Sequence, residues 1–188
     1  DKGFKNLENI DENQVKSLRK NYFDSLDDQI ENKNSSKIYI DKLPLNLTYA
    51  GEIVRIFPNA KFIVSLRHPY DCILSCFMQD FELNDAMANF LNLEDAAKLY
   101  DDVMSLWLQY LSIFKINYCE IKYENLLSDF KPTVSQVLKF LNLPWHDSVV
   151  EYSKTAKKRD KIATPSYNQV IKPLYSHANG RWKRYENK

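Results

Sequence analysis

The stretch KFIVSLRHPYDCILSCFMQDF, residues 61–81, limits the fold more than any other part of this chain. Lys61 to Leu66 is an apolar run of alternating and β-branched character, the pattern of a buried strand. From Pro69 the apolar residues recur at helical spacing. The unit is therefore strand, tight turn, helix. Arg67 stands at the strand's carboxyl end and Ser75 lies eight residues on, in the first turns of the helix. Ligands of open α/β sheets collect outside the carboxyl ends of strands, where helix N-termini supply backbone N–H groups and a favourable dipole. A guanidinium fork with a hydroxyl nearby suits one phosphate. On these residues alone the alternative stays open: Arg67 pairs with a carboxylate such as Asp71, and Ser75 is merely tolerated in a helix.

The rest of the chain repeats the alternation. Val15, Leu18, Tyr22, Leu26 and Ile30 recur every three or four residues, which predicts an amphipathic helix over Asp11–Ile30. After the polar run ENKNSSK, residues 31–37, Ile38-Tyr39-Ile40 reads as a short strand that leaves Asp41 and Lys42 just past its end. Asn46 to Phe57 reads as a helix stopped by Pro58, and a long helix is expected from about Glu94 to Phe114. Tyr118 to Lys122 is another strand, and Pro132 to Leu141 a helix that ends at the turn Asn142-Leu143-Pro144. Strands separated by helices imply parallel pairing with right-handed crossovers, hence an α/β layered fold. The carboxyl ends of the three strands should then gather Lys42, Arg67 and Tyr123 at one rim, cations and a ring that suit a nucleotide. Unrelated strand ends with solvated charges are the competing account.

Composition narrows the function classes. With 188 residues, 44% of them apolar, the chain can bury one sizeable core, so a single domain over residues 1–188 is expected. Lys and Arg number 26 against 25 Asp and Glu, so no global field draws the chain to nucleic acid or an anionic membrane. Its longest apolar stretch, Met104 to Phe114, is broken by polar residues and falls short of the roughly 20 needed to span a bilayer. Three cysteines in no disulfide-scaffold pattern fit a reducing, cytoplasmic setting. His68, Cys72 and Cys76 share helical spacing. Buried thiols explain them better than a metal, which wants four ligands from separate segments, and no metal is expected. The basic run KTAKKRDK, Lys154 to Lys161, reads as a solvated surface ahead of a site for an acidic ligand.

The segment DKLPLNLTYAGEIVRIFPNAKFIVSLRHPYDCILSCF, with KYENLL and HANGRWKRYE downstream, resembles the sulfotransferases that use 3′-phosphoadenylyl sulfate (PAPS). The likeness is strongest to the bacterial tetratricopeptide-linked and the tyrosylprotein branches, and the parts fall in the family's order along most of the chain. It implies a P-loop-like parallel sheet flanked by helices, and a 3′-phosphate of PAPS held by Arg67 and Ser75. It implies that Lys42, in DKLPLN, acts near the sulfonyl group, and that Tyr123 helps hold the adenosine. Asn179, Gly180, Arg181 and Trp182 would close over the nucleotide. PAPS is the implied co-substrate, and the implied partner is a hydroxyl-bearing carbohydrate, lipid, small molecule or peptide, with an upstream tetratricopeptide region as a further expectation.

The departures carry their own expectations. The family's G-x-P-R-S-G-T-like 5′-phosphosulfate loop has no counterpart, since the only glycines are Gly3, Gly51 and Gly180. Backbone N–H groups of such a loop do most of the holding of the 5′ end. The family's general base falls before Asp1 in the order of parts, so these residues are expected to form the larger C-terminal part of the domain, inactive alone. Gln79 stands where the tyrosylprotein branch has an Arg, and Gly180 where it has a Ser, which points to the bacterial branch. Against the enzyme stand a catalytically incomplete module that still binds the nucleotide and a purely structural α/β domain.

Overall fold

The computed structural model describes residues 9–29, 38–152, 174 and 176–186. The polar run 31–37 and the basic run 154–161 lie outside them. Among the described residues, α1 spans Glu12–Gln29, α2 Ala50–Ile56, β1 Lys61–Leu66, α3 Pro69–Phe77, α4 Leu93–Ile113, β2 Asn117–Lys122, α5 Tyr123–Ser128 and α6 Phe130–Leu141. Short 3₁₀ turns cover Asn46–Tyr49, Met87–Phe90, Asp147–Val149 and Arg181–Tyr185. The chain is a mixed α/β structure with a two-stranded parallel sheet, β1 beside β2, flanked by helices. No described helix is long and apolar enough to cross a membrane.

Local chemistry sets the element ends. Asp11 caps α1: its Oδ1 accepts the N–H groups of Asn13 and Gln14 at 2.7 and 2.8 Å. The Gln14 Oε1 accepts the Asp11 N–H in return at 2.8 Å. Asn92 caps α4 by accepting the Asp95 N–H at 2.8 Å. At the end of α6, Asn142 takes the left-handed conformation at φ 60°, which lets the Leu143 N–H reach the Leu138 carbonyl at 2.8 Å. Pro144 follows, as the sequence predicts. Ile38-Tyr39-Ile40 departs from expectation: it forms no strand, and its side chains are exposed by 55%, 44% and 78%. Three apolar residues carry too little ladder to hold a strand without neighbours on both sides.

The fold divides into two compact units, residues 1–60 with 103–117, and 61–102 with 118–188. In the first, α1 packs on α2 and the buried residues are Val15, Ala50 and Trp107. Arg19 donates from Nε and Nη2 to the Ile56 carbonyl at 2.9 and 2.6 Å, satisfying an orphan carbonyl at the end of α2. Tyr22 and Phe23 set their rings edge-on to Phe57 at 5.1 and 5.8 Å. Tyr110 donates its hydroxyl to the Thr48 carbonyl at 3.0 Å, and its ring lies over Gly51.

The second unit carries the sheet. Val64, Leu74, Ala96 and Cys119 are its buried apolar residues. Lys61 ties β1 to α6 by donating to the Phe140 carbonyl at 2.6 Å, and Gln136 of α6 donates to the Cys119 sulfur of β2 at 3.8 Å. Only Arg67 and His68 separate β1 from α3, and Pro69 occupies the first helical position, where its missing N–H costs nothing.

Gly51 supplies a test of this packing. Replacing Gly by Ala inside a helix ordinarily stabilises by about 1 kcal/mol. Here the added Cβ would stand 2.9 Å from the Tyr110 ring, which its own hydrogen bond holds in place. Gly51→Ala is therefore expected to destabilise by about 1–2 kcal/mol, read as a lower urea midpoint at unchanged slope.

Candidate functional site

The turn after β1 is where the second unit concentrates its polar contacts. Arg67, half-buried, donates from Nη2 to the Ala178 carbonyl at 2.5 Å, and its guanidinium carbon lies 5.3 Å from the centre of the Tyr123 ring. Its Nε is buried without a partner. An unsatisfied buried donor costs on the order of 1–3 kcal/mol, so an anionic oxygen arriving there is favoured twice, by charge and by geometry. Tyr123 opens α5, and its neighbour Glu124 accepts the His68 N–H at 2.8 Å, which binds the β1 turn to the start of α5.

Asp71 is 1% exposed. Its Oδ2 accepts the Gly180 N–H at 2.6 Å and its Oδ1 the Trp182 N–H at 2.9 Å. The carboxylate that the sequence offered to Arg67 is thus spent on backbone more than a hundred residues downstream. Gly180 holds φ 69°, the left-handed region where a side chain is strained, and this turn aims both N–H groups at the carboxylate. The Trp182 indole stacks on the His68 ring, centroids 5.2 Å apart and planes 12° apart, with Tyr70 edge-on at 5.1 Å. Asn179 is exposed and donates its N–H to the Ser176 carbonyl at 2.9 Å, while Arg181 is half-buried at the start of its 3₁₀ turn.

The structure therefore brings together Arg67, Tyr123, Gly180 and Trp182, with Asn179 and Arg181 on the same loop. Ser75 sits half-buried on α3, two turns beyond Arg67. Three participants went unassigned in the sequence: Asp71 as the loop's anchor, and His68 and Tyr70 as the rings about Trp182. The only trace of the first was an acid in the first turn of α3, which reads equally well as a helix-dipole residue.

Lys42 belongs to the first unit, exposed, beside a half-open pocket of about 320 Å³ lined by Tyr22, Leu26 and residues 38–42. Within it Tyr22 donates its hydroxyl to Asp41 Oδ2 at 3.1 Å. Burial, with the Asp41 charge and this bond adding, pushes the Tyr22 phenol above its usual range. The hydroxyl stays protonated and fixes Asp41 as an acceptor.

α3 also carries Cys72 and Cys76, free thiols one helical turn apart. The neighbouring Cys76 thiol lowers Cys72 from the usual 9.0 to about 7 against the opposing effect of burial, with the Arg67 charge assisting. Cys76 is correspondingly raised by its neighbour Cys72 and by burial. No group of three or more His, Cys, Asp or Glu among the described residues is placed to hold a metal ion.

The chain is thus a mixed α/β protein with a braced guanidinium at a strand's end, under a loop clamped by a buried acid. The sequence pattern described as the Sulfotransferase family matches residues 4–147, and the chain belongs to that family. An uncharacterised protein of Aquifex aeolicus is 32% identical over 148 residues, 78% of this chain and 19% of its own length. A protein-tyrosine sulfotransferase of Drosophila melanogaster is 25% identical over 151 residues, covering 76% of this chain and 29% of that protein. Protein-tyrosine sulfotransferase 1 of Danio rerio is 26% identical over 153 residues, 76% and 41% of the two. The chain thus spans less than half the length of these relatives.

The thiol pair yields a pH prediction. A lowered Cys72 pKa gives it the larger thiolate fraction of the pair. Iodoacetamide labelling followed by mass spectrometry should modify Cys72 before Cys76, with a rate midpoint below the usual 9.0. Cys76→Ala should move the midpoint back towards 9.0.

Proposed function

We propose that this chain forms the nucleotide-gripping part of a PAPS-dependent sulfotransferase, which moves the sulfonyl group of PAPS to a hydroxyl acceptor. The observation that carries the reading is Arg67, braced by the Ala178 carbonyl and the Tyr123 ring with its Nε unpartnered. These residues fit a 3′-phosphate: the unpaired donor lacks only an acceptor, and Ser75 lies on the helix that starts beside it. The family match covers parts of both units, which supports reading residues 1–188 as a single sulfotransferase-like domain with the P-loop-like sheet that the family implies.

In this reading Arg67 and Ser75 hold the 3′-phosphate, and Tyr123 offers a ring edge to the adenosine. The loop bearing Asn179, Gly180, Arg181 and Trp182 closes over it. Sulfonyl transfer is an in-line displacement in which positioning and charge stabilisation dominate, as in phosphoryl transfer. The acceptor oxygen attacks sulfur as its proton passes to a base, and the bond from sulfur to the bridging oxygen breaks. Negative charge collects on that oxygen as adenosine 3′,5′-bisphosphate leaves, and the Lys42 ammonium stabilises it. Hydroxyl acceptors fit because the nucleophile needs only one removable proton.

A second reading is a module that binds the nucleotide without turnover. Gly51 lies within α2 and Gly180 in the late loop, so among the described residues no glycine-rich turn follows a strand to cradle the 5′ end.

Calorimetry separates these readings from a domain with no nucleotide site. The chain should bind adenosine 3′,5′-bisphosphate more tightly than AMP, and Arg67→Ala should weaken the bisphosphate by about 10–100-fold while changing AMP little. Equal affinity for both ligands contradicts a 3′-phosphate site. With radiolabelled donor and the chain in its full-length protein, Lys42→Ala should cut turnover by about 10²–10³-fold and leave bisphosphate binding unchanged. No turnover in the parent favours the second reading.

A further inference from the structure

Asp71 is itself assigned no contact with the donor, yet it holds the loop segment on which Arg67 ends. We infer that Asp71 is a positioning residue which, by clasping the Gly180 and Trp182 N–H groups, presents the Ala178 carbonyl to Arg67 and so aims its guanidinium at the 3′-phosphate. The inference rests on the nucleotide reading for its ligand but on the described contacts for its mechanism.

The geometry is a closed circuit. Arg67 leaves β1 and ends on the Ala178 carbonyl. Two residues further along the loop, Gly180 and then Trp182 return to α3 through the two oxygens of Asp71. Asp71 lies four residues after Arg67 and is 1% exposed, so its carboxylate has no water to satisfy it and depends on those N–H groups. His68 and Tyr70, on either side of Pro69, hold the Trp182 indole against the same turn. The helix and the loop are thereby one unit around Arg67. If the carboxylate lets go, the left-handed turn at Gly180 loses both its anchors. Ala178 then drifts, and the Arg67 side chain loses the acceptor that fixes its rotamer. The ring of Tyr123 alone leaves a guanidinium free to slide in its plane.

A bond that orders the loop for packing alone would weaken every nucleotide alike. A bond that aims Arg67 acts on the ligand's 3′-phosphate and spares a ligand without one. The two roles therefore differ in the ratio of bisphosphate to AMP affinity.

Asp71→Asn keeps the size of the side chain but turns one acceptor into a donor facing a backbone N–H. Two readouts on the chain decide the matter. In amide hydrogen exchange, Gly180 and Trp182 should exchange at least about tenfold faster in the variant, while Val64 in β1 keeps the parental rate. In calorimetry the bisphosphate-to-AMP preference should fall at least about tenfold, beyond whatever loss the two ligands share through the loop. Parental exchange at both loop amides overturns the clasp, and an unchanged preference overturns the aiming of Arg67. A parent with no preference for the bisphosphate overturns the nucleotide reading, and with it the aiming role, while the exchange data still decide the clasp. Should Val64 lose protection in Asp71→Asn, the same pair of readouts on Asp71→Glu, which keeps the charge on a longer stem, decides both points by the same criteria.

Discussion

A carboxylate withdrawn from water must be met by hydrogen bonds on both oxygens, or folding carries the cost of an uncompensated charge. Asp71 meets that demand with backbone from the far end of the chain, and the rest of the site follows from it. Because the partners are the N–H groups of Gly180 and Trp182, the late loop has one position in which it can satisfy the acid. That position puts the Ala178 carbonyl within reach of Arg67 and the Trp182 ring on His68. A loop that would otherwise carry little order is fixed by an interaction made on the first turn of α3.

The same turn explains why Arg67 remains available. Its usual fate beside an acid is an ion pair. Here the acid is occupied, and the guanidinium is held by a neutral carbonyl and a ring, neither of which cancels its charge. The Nε without a partner is the remaining valence of that arrangement.

Much of the fold is legible in the sequence, for physical reasons. The strand and helix at 61–77 are plain because periodicity changes at Pro69, and the end of α6 because Asn142 and Pro144 are strong stop signals. Family membership is legible because motifs in a fixed order carry information that no single motif does. Ile38-Tyr39-Ile40 misleads because strand propensity measures the fit to a pleated, half-buried surface, and all three of these side chains are exposed. The Asp71 clasp is not legible at all. Its partners are backbone N–H groups, which every residue but proline possesses, at a separation in sequence that no pattern spans. The division into two units is equally hidden, since α4 is one unbroken helical pattern from Leu93 to Ile113 although it contributes to both.

The central claim is that Arg67 is a guanidinium held ready for a phosphate. A crystal structure of the chain with adenosine 3′,5′-bisphosphate tests it most directly. The predicted complex has the 3′-phosphate within hydrogen-bonding distance of Arg67 Nε and the Ser75 hydroxyl, with Asp71 still on the Gly180 and Trp182 N–H groups. A ligand bound with its 3′-phosphate away from Arg67, or a ligand that enters only by breaking the Asp71 bonds, contradicts it.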